Sequence, residues 1–400
     1  MGNGKHPRHS SQSSAAIINT LDDIQDDILT HILSFLPIKE AFRTSVLSKR
    51  WISLCYSLST LHFDDIQSGV TTIETWIQFC QMLDAIILSP HAQQQTLKTF
   101  HLKCQYKFWK IDHRNIIKWI EAAIQRCVED LSLFLLFGVT LEPTAIFISK
   151  TLVVLKLCRL HVSTLSNCSA RLPLLKILSL VDINFDDMGD LNKILYGCPI
   201  LEDLKTAYIN ASVGVTAGGN SEPSLSKLIK ASIRLFDVPL RALSCVKFLT
   251  VTKMGKRLPD EKVNSYYKGY PVFEDLIELR LFWFDDCIHD WDDVVKMLQN
   301  CPKLEALSIS KWTQTRGRDD WKYPYHVPKC ISSHLKTCTI SDYFAVEGDF
   351  RFAAYILQNA RHLQAMTIRY RSSPNESPRF LKDLLSCQRI SPACKLTFIM

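Results

Sequence analysis

Several familiar signatures are missing from this 400-residue chain. Its fourteen cysteines form no CxxC pair, and no secretory signal precedes them. Reduced, buried thiols of an intracellular protein are therefore expected rather than disulfides. Cys198, Cys301 and Cys338 fall within apolar repeat patterns, which agrees. Without secretion, the sequons at Asn167, Asn210 and Asn375 carry no meaning. No apolar run is long enough to span a bilayer; the longest lies around Leu131 to Val139. Positive charge is not massed either. A net charge of +7 is mild and scattered, well short of the basic stripe of a nucleic-acid binder. Finally, GxxxxGK[ST], GxSxG, HExxH and a strand-following GxGxxG are all absent. Nucleotide hydrolysis, nucleophile-elbow hydrolysis and zinc proteolysis have no sequence support.

Clusters that could suggest chemistry have simpler readings. Asp285, Asp286, His289, Asp290, Asp292 and Asp293 could hold a divalent cation. Acids at a helix N-terminus explain most of them, and no metal or other cofactor is expected. Asp22, Asp23, Asp26 and Asp27 read the same way. The first twenty residues are polar and read as a disordered tail. That tail begins Met-Gly, but His6 stands where a myristoylation motif wants Ser or Thr. Lys5 and Arg8 are too few for a nuclear signal.

What the chain does have is apolar mass. The apolar fraction is 47%, with 20 Phe, 12 Tyr and 8 Trp. The stretch from Ile24 to Trp51 is dense in it. Ile28, Leu29, Ile32, Leu33 and Leu36 recur at helical spacing and cover more than one face. Pro37 ends that helix, and two short helices follow. A unit of about 40 residues cannot bury all this within itself, so part must face the rest of the chain or another protein.

The residue order here resembles an F-box. Ile24-Gln25-Asp26-Asp27-Ile28-Leu29, His31 to Pro37 and Ser45 to Trp51 carry the resemblance. Gln25 stands where the family usually has proline. The resemblance implies docking onto a Skp-type adaptor of a cullin–RING ubiquitin ligase. Ile24, Leu29, Leu33, Leu36, Pro37, Val46 and Trp51 are the expected adaptor contacts, with Lys49 and Arg50 at the rim.

Behind this unit an LxxLxL motif, or an apolar equivalent, recurs. It starts at Leu97, Val128, Leu152, Leu175, Leu201, Leu225, Val246, Leu276, Leu304, Leu335 and Leu363, at intervals of 21 to 31 residues. Most intervals suit a leucine-rich repeat. The units at Leu201 and Leu225 are degenerate at the sixth position, where Thr206 and Lys230 stand. Each LxL predicts a short strand with alternate residues inward. Between strands, Ile116–Ile124 and Val294–Leu298 predict helices. No unit can bury its own apolar face, so neighbours must stack into a solenoid. Residues 197–202 and 300–305 resemble plant-type leucine-rich repeats. Trp321, Pro324, Val327 to Cys330, Ser333 to Lys336, Tyr355 to Ala360 and Cys394 to Phe398 resemble the FBD segment of a large plant F-box family.

The expected fold is α/β: a three-helix F-box, then an α/β horseshoe. The expected divisions are a tail (1–20), the F-box (21–62), a helical connector and cap (63–96), the repeats (97–320) and an FBD-like continuation (321–400). Loops are expected at Asn210–Pro223 and Thr313–Lys329. The middle outward strand positions include His101, Lys156, Lys205 and Arg280, with Phe248 and Phe282 beside them. The other middle positions named by the pattern bear hydroxyls and none is acidic, so the face suits an acidic or phosphorylated peptide. The implied role is a non-catalytic substrate receptor in the nucleus or cytoplasm. It would have an adaptor and a target protein as partners, and neither nucleic acid nor membrane. The alternatives are a small-molecule hormone co-receptor or an adaptor-independent scaffold.

Overall fold

The computed structural model describes residues 21–105, 113–141, 145–165, 169–213, 225–235, 237–252, 270–284, 291–312, 321–343, 347–370 and 378–399. The acids of the cluster at 285–290 lie outside these residues.

The N-terminal unit is built from three short helices, α1 (Asp26–Ser34), α2 (Ile38–Arg43) and α3 (Lys49–Tyr56). Asp26 and Asp27 occupy the first turn of α1, where they complement the helix dipole. Leu29 and Leu33, one turn apart, point into a core shared with Ala41, Trp51 and Leu54. Arg50 ties α3 to the start of α1. It donates to Asp26 Oδ1 at 2.8 Å and to the carbonyl of Ile24. Gln25 is the N-cap residue, with φ −63° and ψ 146°. That φ is the one a proline ring imposes. The backbone at Gln25 is thus one that proline can adopt.

Thirteen strands follow in chain order: β1 (Thr60–Asp64), β2 (Thr99–Cys104), β3 (Asp130–Leu141), β4 (Val154–Val162), β5 (Ile177–Asp187), β6 (Asp203–Val213), β7 (Lys230–Arg234), β8 (Phe248–Thr252), β9 (Glu278–Phe284), β10 (Ala306–Trp312), β11 (Thr337–Tyr343), β12 (Ala365–Tyr370) and β13 (Lys395–Ile399). All lie parallel, each beside its neighbours in sequence. Eleven match the LxxLxL units, and β1 and β13 extend the array at both ends. The first rung therefore begins inside what the repeat pattern assigns to the F-box. The segment 63–96 supplies the end of β1 and the helical side of that rung. Asn210 to Val213 belong to β6 rather than to a loop.

A carbonyl ladder sets the register. At the foot of β1 to β11 one carbonyl accepts two successive N–H groups of the next unit, while at β12 the Gln364 carbonyl takes Lys395 alone. Lys98 O takes Glu129 and Asp130, Glu129 O takes Val153 and Val154, and Val153 O takes Lys176 and Ile177, at 2.8–3.1 Å. The pattern recurs through Lys176, Glu202, Ile229, Lys247, Ile277, Glu305 and Lys336. It also corrects one unit. Ile229, not Ser226, holds the ladder position, so that repeat starts at Leu228, with Ala231 and Ile233 inward. Leu225 is buried as well, but in the preceding turn, where Cys198 and Cys301 sit in their units. The LxxL spacing of Leu225 and Leu228 is therefore a coincidence of two adjacent inward positions.

The other side of the sheet carries α4 (Ile73–Ile87), α5 (Pro90–Gln93), α6 (His113–Gln125), α7 (Met188–Tyr196), α8 (Trp291–Gln299), α9 (Lys329–Ser333), α10 (Glu347–Asn359) and α11 (Pro378–Ser386). Two units use only 3₁₀ turns there, Ile146–Ile148 and Leu240–Leu243. Packed helices need about 8–10 Å each, whereas strands need about 4.8 Å, so the helical side fans out and the strand side is concave. All twelve described cysteines are free thiols. Seven are buried and two, Cys127 and Cys245, are exposed. Cys198 and Cys301 donate to the carbonyls of Ile194 and Met297 at 3.1 Å, closing the ends of their helices. Gly197 beside Cys198 has no room for a side chain, since a Cβ would meet the Ala170 carbonyl at 2.5 Å.

The C-terminal segment straps several units together. Trp321 is buried, and its indole N–H donates to Asp292 Oδ1 at 2.9 Å. Its carbonyl accepts from Arg351, while its ring meets Phe352 and Tyr355 edge-on. Trp291 of α8 stacks on Phe352 of α10 at 4.0 Å. Trp321, Phe352 and Tyr355 of the FBD-like segment are thus core of the solenoid's helical layer.

One buried acid stands out. Thr206, the degenerate sixth position, is buried next to Asp237. Asp237 is 4% exposed, and burial pushes its carboxyl up to about 7. Arg234, Thr206 and backbone N–H groups only partly offset that burial. In the unfolded chain the group ionises near 3.9. Its protonated form therefore supports the fold fully below about pH 4, and that support is lost as pH rises through about 7. Thermal melts should show Asp237→Asn gaining stability over the wild type between pH 5 and 8, with no gain at pH 4. Gln25→Pro should raise stability by about 0.4–1 kcal/mol through the unfolded chain, seen as a small rise in Tm.

Candidate functional site

Two surfaces are candidates. The first lies on the N-terminal unit. Ile28, Ile32, Phe35 and Leu36 fall at helical spacing and are 40–74% exposed. Val46 is 86% exposed and Leu47 58%. So many exposed apolar side chains on one small unit mark an interaction surface. The structure redistributes the expected contact residues. Leu36, Pro37 and Val46 are exposed, and Ile24 is half-buried. Leu29, Leu33 and Trp51 are buried, at 1%, 1% and 7% exposure, in the core of the unit. Sequence reasoning passed over Ile28, Ile32, Phe35 and Leu47. Helical periodicity says that α1 has two apolar stripes; it does not say which one the rest of the chain covers.

Beside this surface a cleft of about 270 Å³ separates the unit from the first rung. Leu36, Pro37 and Ile38 line one side, and Thr60, His62 and Asp64 the other. The joint itself is closed. Ile38 and Leu58 are buried, and Tyr56 donates to the Ala85 carbonyl at 3.2 Å. A single hydrophobic cluster runs from Leu29 to Cys394.

The second surface is the concave face. Register brings one row of side chains into line across all thirteen strands. From β1 to β13 it reads His62, His101, Ser132, Lys156, Ser179, Lys205, Ser232, Thr250, Arg280, Ser308, Thr339, Thr367 and Thr397. Every member is basic or hydroxyl-bearing. His62, Ser232 and Thr397 extend the row beyond what the repeat pattern identified. Phe248 lies one row nearer the strand feet and Phe282 one row further along, both facing solvent.

Acids in the row at the strand feet occupy some of the cations. Arg280 is paired with Glu278 at 2.5 Å, and Asp203 with Lys230 at 3.6 Å. His101 Nε2 comes within 3.1 Å of Asp130 Oδ1. Burial alone would raise the Asp130 carboxyl; His101, Lys156 and Ser132 outweigh it and hold it below its usual value. His62 packs edge-on against His101 at 4.4 Å. Burial and then that neighbour lower its pKa. Lys156 and Lys205 form no ion pair with any described residue.

Above the central part of the row, three strands carry a left-handed residue each: Arg159, Asp182 and Tyr208, at φ 56–60°. Strand pairing skips all three. Each therefore adds an outward side chain without disturbing the inward leucines. Arg159 pairs with Asp182 at 3.5 Å and lies over the Phe134 ring. Arg234 lies over the Tyr208 ring. No group of His, Cys, Asp or Glu among the described residues could hold a metal ion. None of the described helices is long and apolar enough to cross a membrane.

Comparison with known proteins agrees with this architecture. The F-box domain model matches residues 21–63, and the FBD model residues 323–368. A model described as the LRR repeats of FBD-associated F-box protein At5g56370 matches residues 116–229. None of the three describes a catalytic domain. Among curated proteins of Arabidopsis thaliana, FBD-associated F-box protein At3g52670 is 29% identical, over 94% of this chain and 97% of its own length. F-box/FBD/LRR-repeat protein At4g26340 is 26% identical, over 95% of this chain and 100% of its own. F-box/FBD/LRR-repeat protein At5g56420 is 27% identical, over 94% and 98%. With the F-box, repeat and FBD models matched in that order along it, and with these relatives aligned over nearly its whole length, the chain belongs to the plant F-box proteins that carry leucine-rich repeats and an FBD segment.

Proposed function

We propose that this protein is the substrate-receptor subunit of an SCF-type ubiquitin ligase. Its N-terminal unit docks onto a Skp-type adaptor through the exposed face of Ile28, Ile32, Phe35, Leu36, Pro37, Val46 and Leu47. Its concave face holds a target protein. The chain performs no chemistry. It raises the effective concentration of target lysines near the ubiquitin-loaded enzyme that the complex recruits. The observation that carries this reading is an uncovered apolar surface on a unit whose core is continuous with the solenoid's. A handle fused in this way holds the target in a fixed orientation to the ligase. The co-receptor alternative would need a free basic cluster at the foot of the concave face. Asp130, Asp203 and Glu278 stand there instead.

Co-purification with a Skp-type adaptor tests the handle. Val46→Asp and Phe35→Asp should each weaken co-elution by at least about tenfold, since burying an unpaired carboxylate at an interface costs several kcal/mol. Both should keep the wild-type Tm, because these side chains face solvent. Leu33→Asp should lose adaptor binding together with the fold of the unit. If both surface variants bound the adaptor as the wild type does, this assignment of the docking face would be wrong.

A further inference from the structure

The row on the concave face is uniform in chemistry but not in charge. Its cations differ in what already satisfies them. Arg280 is spent on Glu278, and His101 lies against Asp130. Lys156 and Lys205 remain, on β4 and β6, with Ser179 of β5 in register between them. Acids on their strands and neighbours have other basic partners: Asp130 and Asp203, one row toward the strand feet, face His101 and Lys230, and Asp182 of β5 pairs with Arg159; Lys156 attracts Asp130 without forming an ion pair with it. The Ser179 and Ser232 hydroxyls make no hydrogen bond to a described residue.

The spacing suits one anion. Two strand steps separate the lysine Cα atoms by about 10 Å. Flexible four-carbon stems let both ammonium groups converge above the serine between them. A phosphoryl group carries about −1.5 to −2 charges at pH 7 and three acceptor oxygens. Two ammonium groups and a hydroxyl donor match that charge and that number of oxygens. A polyanion would need more unpaired cations than this row supplies.

The surroundings suit a peptide. Beyond Ser232 the row continues as Thr250, Ser308, Thr339, Thr367 and Thr397, broken only by the paired Arg280. Hydroxyls both donate and accept, which serves a backbone whose N–H and C=O groups need partners. Phe248, 40% exposed, offers an apolar contact along that path.

We infer that the concave face binds a singly phosphorylated peptide segment of the target, its phosphate held by Lys156 and Lys205 over Ser179. This rests on the reading of that face as the target-binding arm.

The test uses the full chain co-purified with its adaptor. Fluorescent peptide pools carry a central phosphoserine, or a central serine, between randomised flanks, and binding is followed by polarisation. The phosphoserine pool should bind at least about tenfold tighter, the scale set by charge-assisted hydrogen bonds. Lys156→Glu/Lys205→Glu should abolish that preference while keeping the wild-type Tm. Arg280→Glu, whose cation is already paired, should change it by less than about threefold. Equal or absent binding of both pools overturns the inference, as does a preference that survives the double lysine variant. So does a single-stranded RNA oligonucleotide that binds tightly where the phosphoserine pool does not. Thr250→Trp obstructs the row without altering charge and separates the two levels. If it abolishes peptide binding that shows no phosphate preference, the face remains the target arm and only the phosphate assignment fails. If it leaves peptide binding intact, both fail.

Discussion

From the first strand to the twelfth, each strand of this solenoid is held to the next by a carbonyl that accepts two successive N–H groups at the strand's foot. The rest of the structure depends on that ladder. It pins each unit's register, and a one-residue slip would turn every inward leucine outward. It tolerates wide variation above and behind the strand. Units differ in length, and some replace their helix by a single 3₁₀ turn, while the ladder position recurs. Because register is kept, middle positions from thirteen separate stretches of sequence become one surface.

The same constraint joins the two functional parts. The first strand follows the third helix of the N-terminal unit after only a few residues, so the apolar interior passes from one to the other without a break. No flexible hinge separates handle from arm. The cleft between Leu36 and His62 is a surface feature of this joint. On the proposed reading, the position of a target relative to the ligase is thus built into the fold.

Charge on the concave face is governed by local pairing rather than by count. Net charge says little, because Asp130, Asp203 and Glu278 each face a basic side chain. What remains is a short basic step at the centre of the sheet, beneath the left-handed residues that crowd extra side chains onto the same strands. These residues carry backbone strain, tolerable because strand pairing on either side of them holds the chain in place.

Much of this was legible in the sequence. The periodicity of LxxLxL gave the strands and their inward faces, since a period of two and a fixed spacing of leucines leave few other ways to bury them. The basic and hydroxyl row could be read from the same pattern. At Leu225 the pattern failed, because two adjacent inward positions mimicked the motif's first and fourth residues. Neither flanking strand was legible: β1 lies inside the helical unit's pattern, and β13 lacks a leucine at its first position. On the N-terminal unit, Leu29 and Ile28 have the same chemistry and neighbouring places on one helix. The sequence by itself determined that both are apolar and that the rest of the chain or another protein must cover some of this unit. Only the tertiary structure decided that Leu29, Leu33 and Trp51 go inward while Ile28, Phe35 and Val46 stay uncovered, because burial depends on what the rest of the chain packs against each face. The lysines follow the same logic: their charge is written in the sequence, and whether an acid already neutralises it is a matter of strand register.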